Sequence, residues 1–187
     1  MGAWCGDGEC GRFRFINADD VIVQRLRNLI ISKGGNLTSV FSTRQKQGQS
    51  SGNYPQEHLI QGLGRRRKSP GREWVRAHFG ENARSHTKRV PKIIWTWPRQ
   101  AWRAFLAGYL DTDGCVPTTA PCVKWSSSSP ELLKDCQTLL ARMGINGSIS
   151  CNMLTISGKE QLVLVDSLLT PYMSHPEKIN KLRTHVS

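Results

Sequence analysis

One stretch of small and apolar residues that runs straight into acids constrains this chain more than any other feature. Phe105 to Gly114 reads FLAGYLDTDG. Leu106, Ala107, Gly108, Tyr109 and Leu110 suit a buried helix whose backbone can approach a neighbouring helix closely, and Asp111 and Asp113 fall where that helix ends. A carboxylate at a helix C-terminus meets the negative end of the dipole. Positive charge is therefore expected nearby, and a divalent cation is the natural candidate for an acid bordering an apolar interface. The chain opens on a second, shorter version: Gly2, Ala3, Trp4, Cys5 and Gly6 lead to Asp7-Gly8 as Gly108 to Thr112 lead to Asp113-Gly114, 106 positions later. If two such helices pack on each other, Asp7 and Asp113 meet at their lower ends and bind metal jointly.

The repeat divides the 187 residues into a half spanning 1–92 and a half spanning 93–187. Charge is shared unequally between them. Residues 1–92 carry 17 basic and 7 acidic side chains, whereas residues 93–187 carry 9 and 7, within an overall net charge of +12. Such an excess favours a polyanionic partner. Arg44, Lys46, Arg65, Arg66, Arg67, Lys68 and Arg72 are the densest group and form a basic insertion in the first half; a solvated surface is the plain alternative to phosphate contact. No apolar run approaches the ~20 residues of a membrane span. No secretory signal is read at the N-terminus, because the motif follows Met1 at once, which points to the cytoplasm or to a place with the host DNA. The six cysteines include no C-x-x-C pair, so zinc is disfavoured and free thiols are expected.

Local patterns fill in an α+β plan. A first helix spans Met1 to about Gly6. Glu9 to Asn17 alternates Arg12 and Arg14 with Phe13 and Phe15, which reads as one strand with a basic face and a core face. Asp19 caps a helix over Asp20 to Lys33, and Leu37 to Thr43 suits a strand. Gln45 to Gly71 is polar and glycine-rich, so loops and hairpin pieces are expected there. A short helix follows from Glu73, and Pro98 opens the motif helix at its first position, with the helix ending at Asp111. Trp95, Trp97 and Trp102 are read as core, with base stacking as the alternative. Beyond Gly114 come a strand at Cys122 to Ser126 and a helix opened by Ser129-Pro130-Glu131. A hairpin over Asn146 to Ser157, a helix over Lys159 to Leu169 and a last segment from Pro176 to Arg183 complete the plan.

LAGYLDTDG from Leu106 to Gly114, with GAWCGDG from Gly2 to Gly8 as a looser first copy, resembles the paired motifs of the LAGLIDADG (dodecapeptide, DOD-type) homing endonucleases, particularly those carried in inteins. Lys88 to Pro91 resembles the basic K-x-I-P element of those enzymes, and Trp125 to Ile145 their late strand-to-helix block. The resemblance implies two αββαββα-like halves related by a pseudo-twofold, forming saddle-shaped antiparallel sheets in a monomer. It also implies a hydrolase that cuts double-stranded DNA at a long recognition site. Asp7 and Asp113 would be the catalytic acids and ligands of Mg²⁺, which Mn²⁺ can replace, each acid cutting one strand across the minor groove. Lys88 would be the basic catalytic residue. For the second half Lys178, in His175-Pro176-Glu177-Lys178, ranks above Lys124 as its counterpart. The sheets would contact DNA through Arg12, Arg14 and Lys124, joined by the basic insertion.

Asp111 has Cys5 as its first-half counterpart, so a symmetric catalytic role for it is excluded, and capping or hydrogen bonding near the metal is expected instead. Full enzymes of this kind carry about two more helical turns before Gly2. An N-terminal splicing nucleophile and a terminal Asn are not found here, so splicing by this chain alone is not expected, although the endonuclease part of an intein, a mobile element, remains consistent. Two rivals share the fold: a DNA-binding regulator that does not cleave, and an intron RNA maturase.

Overall fold

The computed structural model describes residues 1–9, 14–17, 19–32, 35–40, 56–62, 70–80 and 84–187, of which 9, 14, 35, 38–40, 56–62 and 70–72 are described by backbone alone. The first half runs α1 (Gly2–Asp7), β1 (Gly8–Glu9), β2 (Arg14–Asn17), α2 (Asp20–Ser32), β3 (Gly35–Val40), β4 (Gln56–Gly62) and α3 (Pro70–Phe79). The second runs α4 (Arg99–Asp113), β5 (Gly114–Cys115), β6 (Cys122–Ser126), α5 (Pro130–Ala141), β7 (Ser148–Ser150), β8 (Met153–Ser157), α6 (Lys159–Leu169) and α7 (Pro176–Val186). Short 3₁₀ turns at Ser85–Thr87, Lys92–Thr96 and Thr170–Tyr172 complete the chain. The order αββαββα thus occurs twice. Each half builds one antiparallel four-stranded sheet, with strand orders β1-β2-β4-β3 and β5-β6-β8-β7.

By contact density the chain forms two compact units, one of Met1–Gly6 with Arg84–Ser187 and one of Asp7–Ala83. The sequence repeat at 1–92 and 93–187 is a repeat of elements; the units are what packs together. In the smaller unit, Asp19 Oδ1 accepts the N–H groups of Val21 and Ile22 at 2.9 and 3.3 Å, capping α2 as its position suggests. The stripe Ile22, Val23, Leu26 and Ile30 is buried, as are Phe15, Leu37 and Val75. One local reading changes here and another becomes specific. Glu9 to Asn17 is not one strand: Gly8–Glu9 pairs antiparallel with Arg14–Asn17. Within the polar stretch, Gln56–Gly62 is an inner strand that pairs with both β2 and β3. Ladder pairing on two sides outweighs the weak strand preference of Gln, Glu, His and Gly.

In the larger unit the core gathers around α4, whose Phe105, Leu106, Ala107, Tyr109 and Leu110 are buried with Val123, Trp125, Leu154 and Ile156 from the sheet. The register runs Gly114↔Trp125, Trp125↔Leu154, Leu154↔Ile149. Lys124 therefore lies on the face opposite this core. The motif helix is longer than its sequence suggests: Pro98 is the cap, not the first helical residue, and the helix continues past Asp111 to Asp113. Trp102 is buried and donates its indole N–H to Ile94 O at 2.7 Å. Trp97 departs from the expected core, being 39% exposed, because it caps the 3₁₀ turn just before the chain reverses into α4.

Candidate functional site

Small residues allow the opening helix and α4 to touch backbone to backbone. A Cβ at Gly2 would lie 1.8 Å from Phe105 O, and one at Gly6 would lie 2.1 Å from Thr112 Oγ1 and 3.2 Å from the Asp113 carboxyl carbon. From the other side, a Cβ at Gly108 would come within 3.1 Å of Ala3 N. The crossing thus uses the small-residue spacing that close helix pairs require. Cys5 is buried in it. Its thiol lies 3.9 Å from Arg89 O.

The two acids of the second motif have different fates. Asp111 is 4% exposed and accepts the N–H groups of Ser174 at 2.7 Å and His175 at 3.3 Å, which fixes the chain just ahead of α7. Burial raises its pKa above the usual carboxylate value, and those two amides together with the Lys178 charge offset part of the rise. Asp113, one turn-end further on, accepts no hydrogen bond among the described residues. It opens into a pocket of about 410 Å³ lined by Ser126, Ser127, Ser128, Cys151, Asn152 and Met153. Tyr109 backs one wall by donating its hydroxyl to Ser126 O at 2.7 Å. Burial also raises the Asp113 pKa, and the ammonium groups of Lys88 and Lys178 draw it back.

Both lysines dock on helix C-termini, where the carbonyls lack intrahelical partners. Lys88, 8% exposed, donates from Nζ to Cys5 O at 2.6 Å and Gly6 O at 2.8 Å. Lys178 donates to Asp111 O at 2.6 Å, Leu110 O at 2.9 Å and Thr112 O at 3.4 Å. Cys5 and Gly6 correspond to Asp111 and Thr112 at the motif offset, so the two ammonium groups occupy equivalent positions. Lys124 has no such place; it sits in mid-strand on β6, paired with Cys115 and Thr155.

Residues of α5 hold the Lys88 segment, and the sequence reading missed them. Ser129 Oγ donates to Lys88 O at 2.7 Å and accepts the Leu132 N–H at 3.3 Å. Asp135 accepts Arg89 Nε at 2.7 Å, Arg89 Nη2 at 2.8 Å and the Val90 N–H at 3.1 Å. The available signal was an acid at helical spacing between Leu132 and Leu139 on the apolar stripe of α5. In the smaller unit Asp7 ends α1 and accepts a hydrogen bond from Asn17 Nδ2, a partner also missed.

Of the expected DNA contacts, Arg12, Arg44, Lys46, Arg65, Arg66, Arg67 and Lys68 lie outside the described residues; Arg14 and Arg72 are placed by backbone alone, in β2 and α3. Among the described residues no three His, Cys, Asp or Glu side chains cluster as a metal cage. Among them, too, no helix is long and apolar enough to cross a membrane.

A paired-motif helix ending in an acid at a pocket, with an ammonium docked on the last carbonyls, occurs where the family profile of the LAGLIDADG-like domain matches, over residues 101–167. The chain carries a LAGLIDADG-like domain. The fold agrees. The chain is similar to the crystal structure of full-length DUF199/WhiA from Thermatoga maritima, with a TM-score of 0.53 and 14% identity over 93% of this chain and 52% of that one. It is also similar to the homing endonuclease I-WcaI bound to its DNA recognition sequence, with a TM-score of 0.55 and 13% identity over 90% of this chain and 74% of that one. At these identities the likeness is one of LAGLIDADG fold. By sequence the chain is similar to the replicative DNA helicase DnaB of Synechocystis sp., 28% identical over 137 residues, which make up 65% of this chain and 16% of the helicase. It is likewise similar to a probable translation initiation factor IF-2 of Thermococcus kodakarensis, 36% identical over 89 residues, 46% of this chain and 8% of that protein. The chain therefore spans a small part of each of these curated relatives.

Proposed function

We propose that the chain is a site-specific double-strand DNA endonuclease of the homing type, with Asp113 and the first motif's Asp7 as its acids. The observation that carries this reading is the Asp113 carboxylate at the pocket, which accepts no hydrogen bond among the described residues, beside two lysines docked on helix ends. Carboxylate oxygens with open space beside them suit a hard cation such as Mg²⁺, which keeps waters and takes phosphate oxygens as further ligands. Held by Asp113 and Asp7, such an ion, or Mn²⁺ in its place, would supply Lewis acidity at the scissile phosphate. The chain's own groups do the rest. Lys88 spends two of its three N–H donors on Cys5 O and Gly6 O, and the third, which meets no acceptor among the described residues, can reach a phosphate oxygen or the attacking water. In this reading the arginines and lysines of the first half meet the duplex backbone, and Lys124, on the sheet face away from the core, meets base edges.

The relatives support a mobile context. A helicase and an initiation factor share no named activity, yet each contains a short stretch similar to this chain. That pattern suits a mobile insert such as the endonuclease part of an intein.

The reading is tested by incubating the protein with a plasmid library and Mg²⁺ and sequencing the ends. Linear products with a shared site are expected, and Asp113→Asn or Asp7→Asn is expected to lower double-strand cleavage at least ~100-fold, as loss of a metal ligand does. Tight DNA binding without breaks would favour the regulator, and preference for structured RNA would favour the maturase.

A further inference from the structure

The first motif has Cys5 where the second has Asp111, yet Lys88 and Lys178 end in equivalent positions. Something must replace the missing acid. Asp111 works by gripping main chain: it accepts the N–H groups of Ser174 and His175, a few residues ahead of Lys178, and the ammonium then falls on the α4 carbonyls. A thiol at position 5 offers no carboxylate for such a grip.

We propose that Asp135 is the positioning acid for Lys88, supplied from α5 to the motif that lacks its own, and so the functional counterpart of Asp111. Asp135 grips the two residues directly after Lys88, taking Arg89 in a two-pronged bond and the Val90 N–H on one of the same oxygens. Ser129, at the N-cap of α5 and almost two turns before Asp135, grips the Lys88 carbonyl. With its main chain fixed on both sides, Lys88 has one direction in which to extend, onto Cys5 O and Gly6 O. Stability alone does not call for this arrangement. A buried carboxylate on the face shared by Leu132, Cys136 and Leu139 carries a desolvation cost that an apolar residue there would avoid. What the acid adds is a fixed geometry for the segment that carries Lys88.

The consequence for cleavage rests on the nuclease reading, but the anchoring itself does not, and the two are measured separately. In the metal-free full chain, lysines are reductively methylated and the rate is followed at each lysine by mass spectrometry. Asp135→Asn is expected to raise labelling of Lys88 roughly tenfold and to leave Lys178 within about twofold, while Asp111→Asn does the reverse. Arg89→Gln, at a side chain 56% exposed, removes the two-pronged bond while Asp135 keeps the Val90 N–H, and is expected to release Lys88 alone by a smaller factor. Both lysines rising together in these variants, or Lys88 unmoved by Asp135→Asn, overturns the proposal. On a plasmid library with Mg²⁺, Asp135→Asn is expected to slow cleavage while half-saturation with DNA stays the same. A wild-type protein that never cleaves sinks the nuclease reading and leaves the labelling result to judge the anchor.

Discussion

Asp111 and Asp113 stand two positions apart on one helix and have opposite surroundings. The first is committed to two amides of the chain ahead of α7; the second accepts no hydrogen bond among the described residues and faces a pocket. Burial raises the pKa of Asp113, so the folded protein holds that proton more tightly than the unfolded chain does. Its contribution to stability is fully present below the ordinary carboxylate pKa and is lost as pH rises through the raised folded value. At neutral pH the ionised carboxylate therefore works against folding, and Asp113→Asn removes that penalty. In the presence of EDTA the variant is expected to melt higher than wild type at pH 7, with the gap narrowing as the pH is lowered into the carboxylate range. Equal midpoints at pH 7, measured by circular dichroism, would contradict this account of the site.

At the level of elements, the hairpin joining β7 to β8 turns through Cys151 and Asn152, with φ of 46° and 61°. Two consecutive positive angles match the two-residue turn that suits the right-handed twist of paired strands. Asn tolerates this region and Cys does not, since a left-handed conformation costs roughly 1–2 kcal/mol for most side chains. Cys151→Asn is expected to raise stability by up to about 1 kcal/mol in urea unfolding, with an unchanged m-value. The helices of the second half were readable because their stripes and caps are local: Ser129 accepts the Leu132 N–H, as a capping serine before Pro130-Glu131 should. Strand β4 was not readable from its own residues, because Gln56–Gly62 earns its conformation from ladders on both sides. Nor was the continuation of α4 from Asp111 to Asp113, where the end carbonyls receive the Lys178 ammonium.

For the molecule as a whole, charge is the property that sets its dealings with nucleic acid. The net charge of +12 is concentrated in the first half, and most of the arginines and lysines proposed to touch DNA belong there. If ~6–10 of them neutralise phosphates, affinity for duplex DNA should fall by roughly three to five decades between 50 and 200 mM salt. A fluorescence-anisotropy titration with a flat salt dependence would rule out the backbone-contact reading.

The full αββαββα order was reached only through the family resemblance, but by itself the sequence determined the small-residue motif helices, the acids at their ends and the capped helices α2 and α5. Each of these follows from spacing over a few residues, where helix periodicity, caps and turn chemistry act. The tertiary structure decided which acid is committed and which faces open space, that Lys178 rather than Lys124 matches Lys88, and that Asp135 grips the Lys88 segment. Those outcomes depend on hydrogen bonds between residues 83 apart for Lys88 and Cys5, 63 apart for Ser174 and Asp111, and 46 apart for Arg89 and Asp135. No local pattern encodes such partners. They are chosen when burial strips water from a charged group and leaves it only the donors and acceptors that packing has brought within reach.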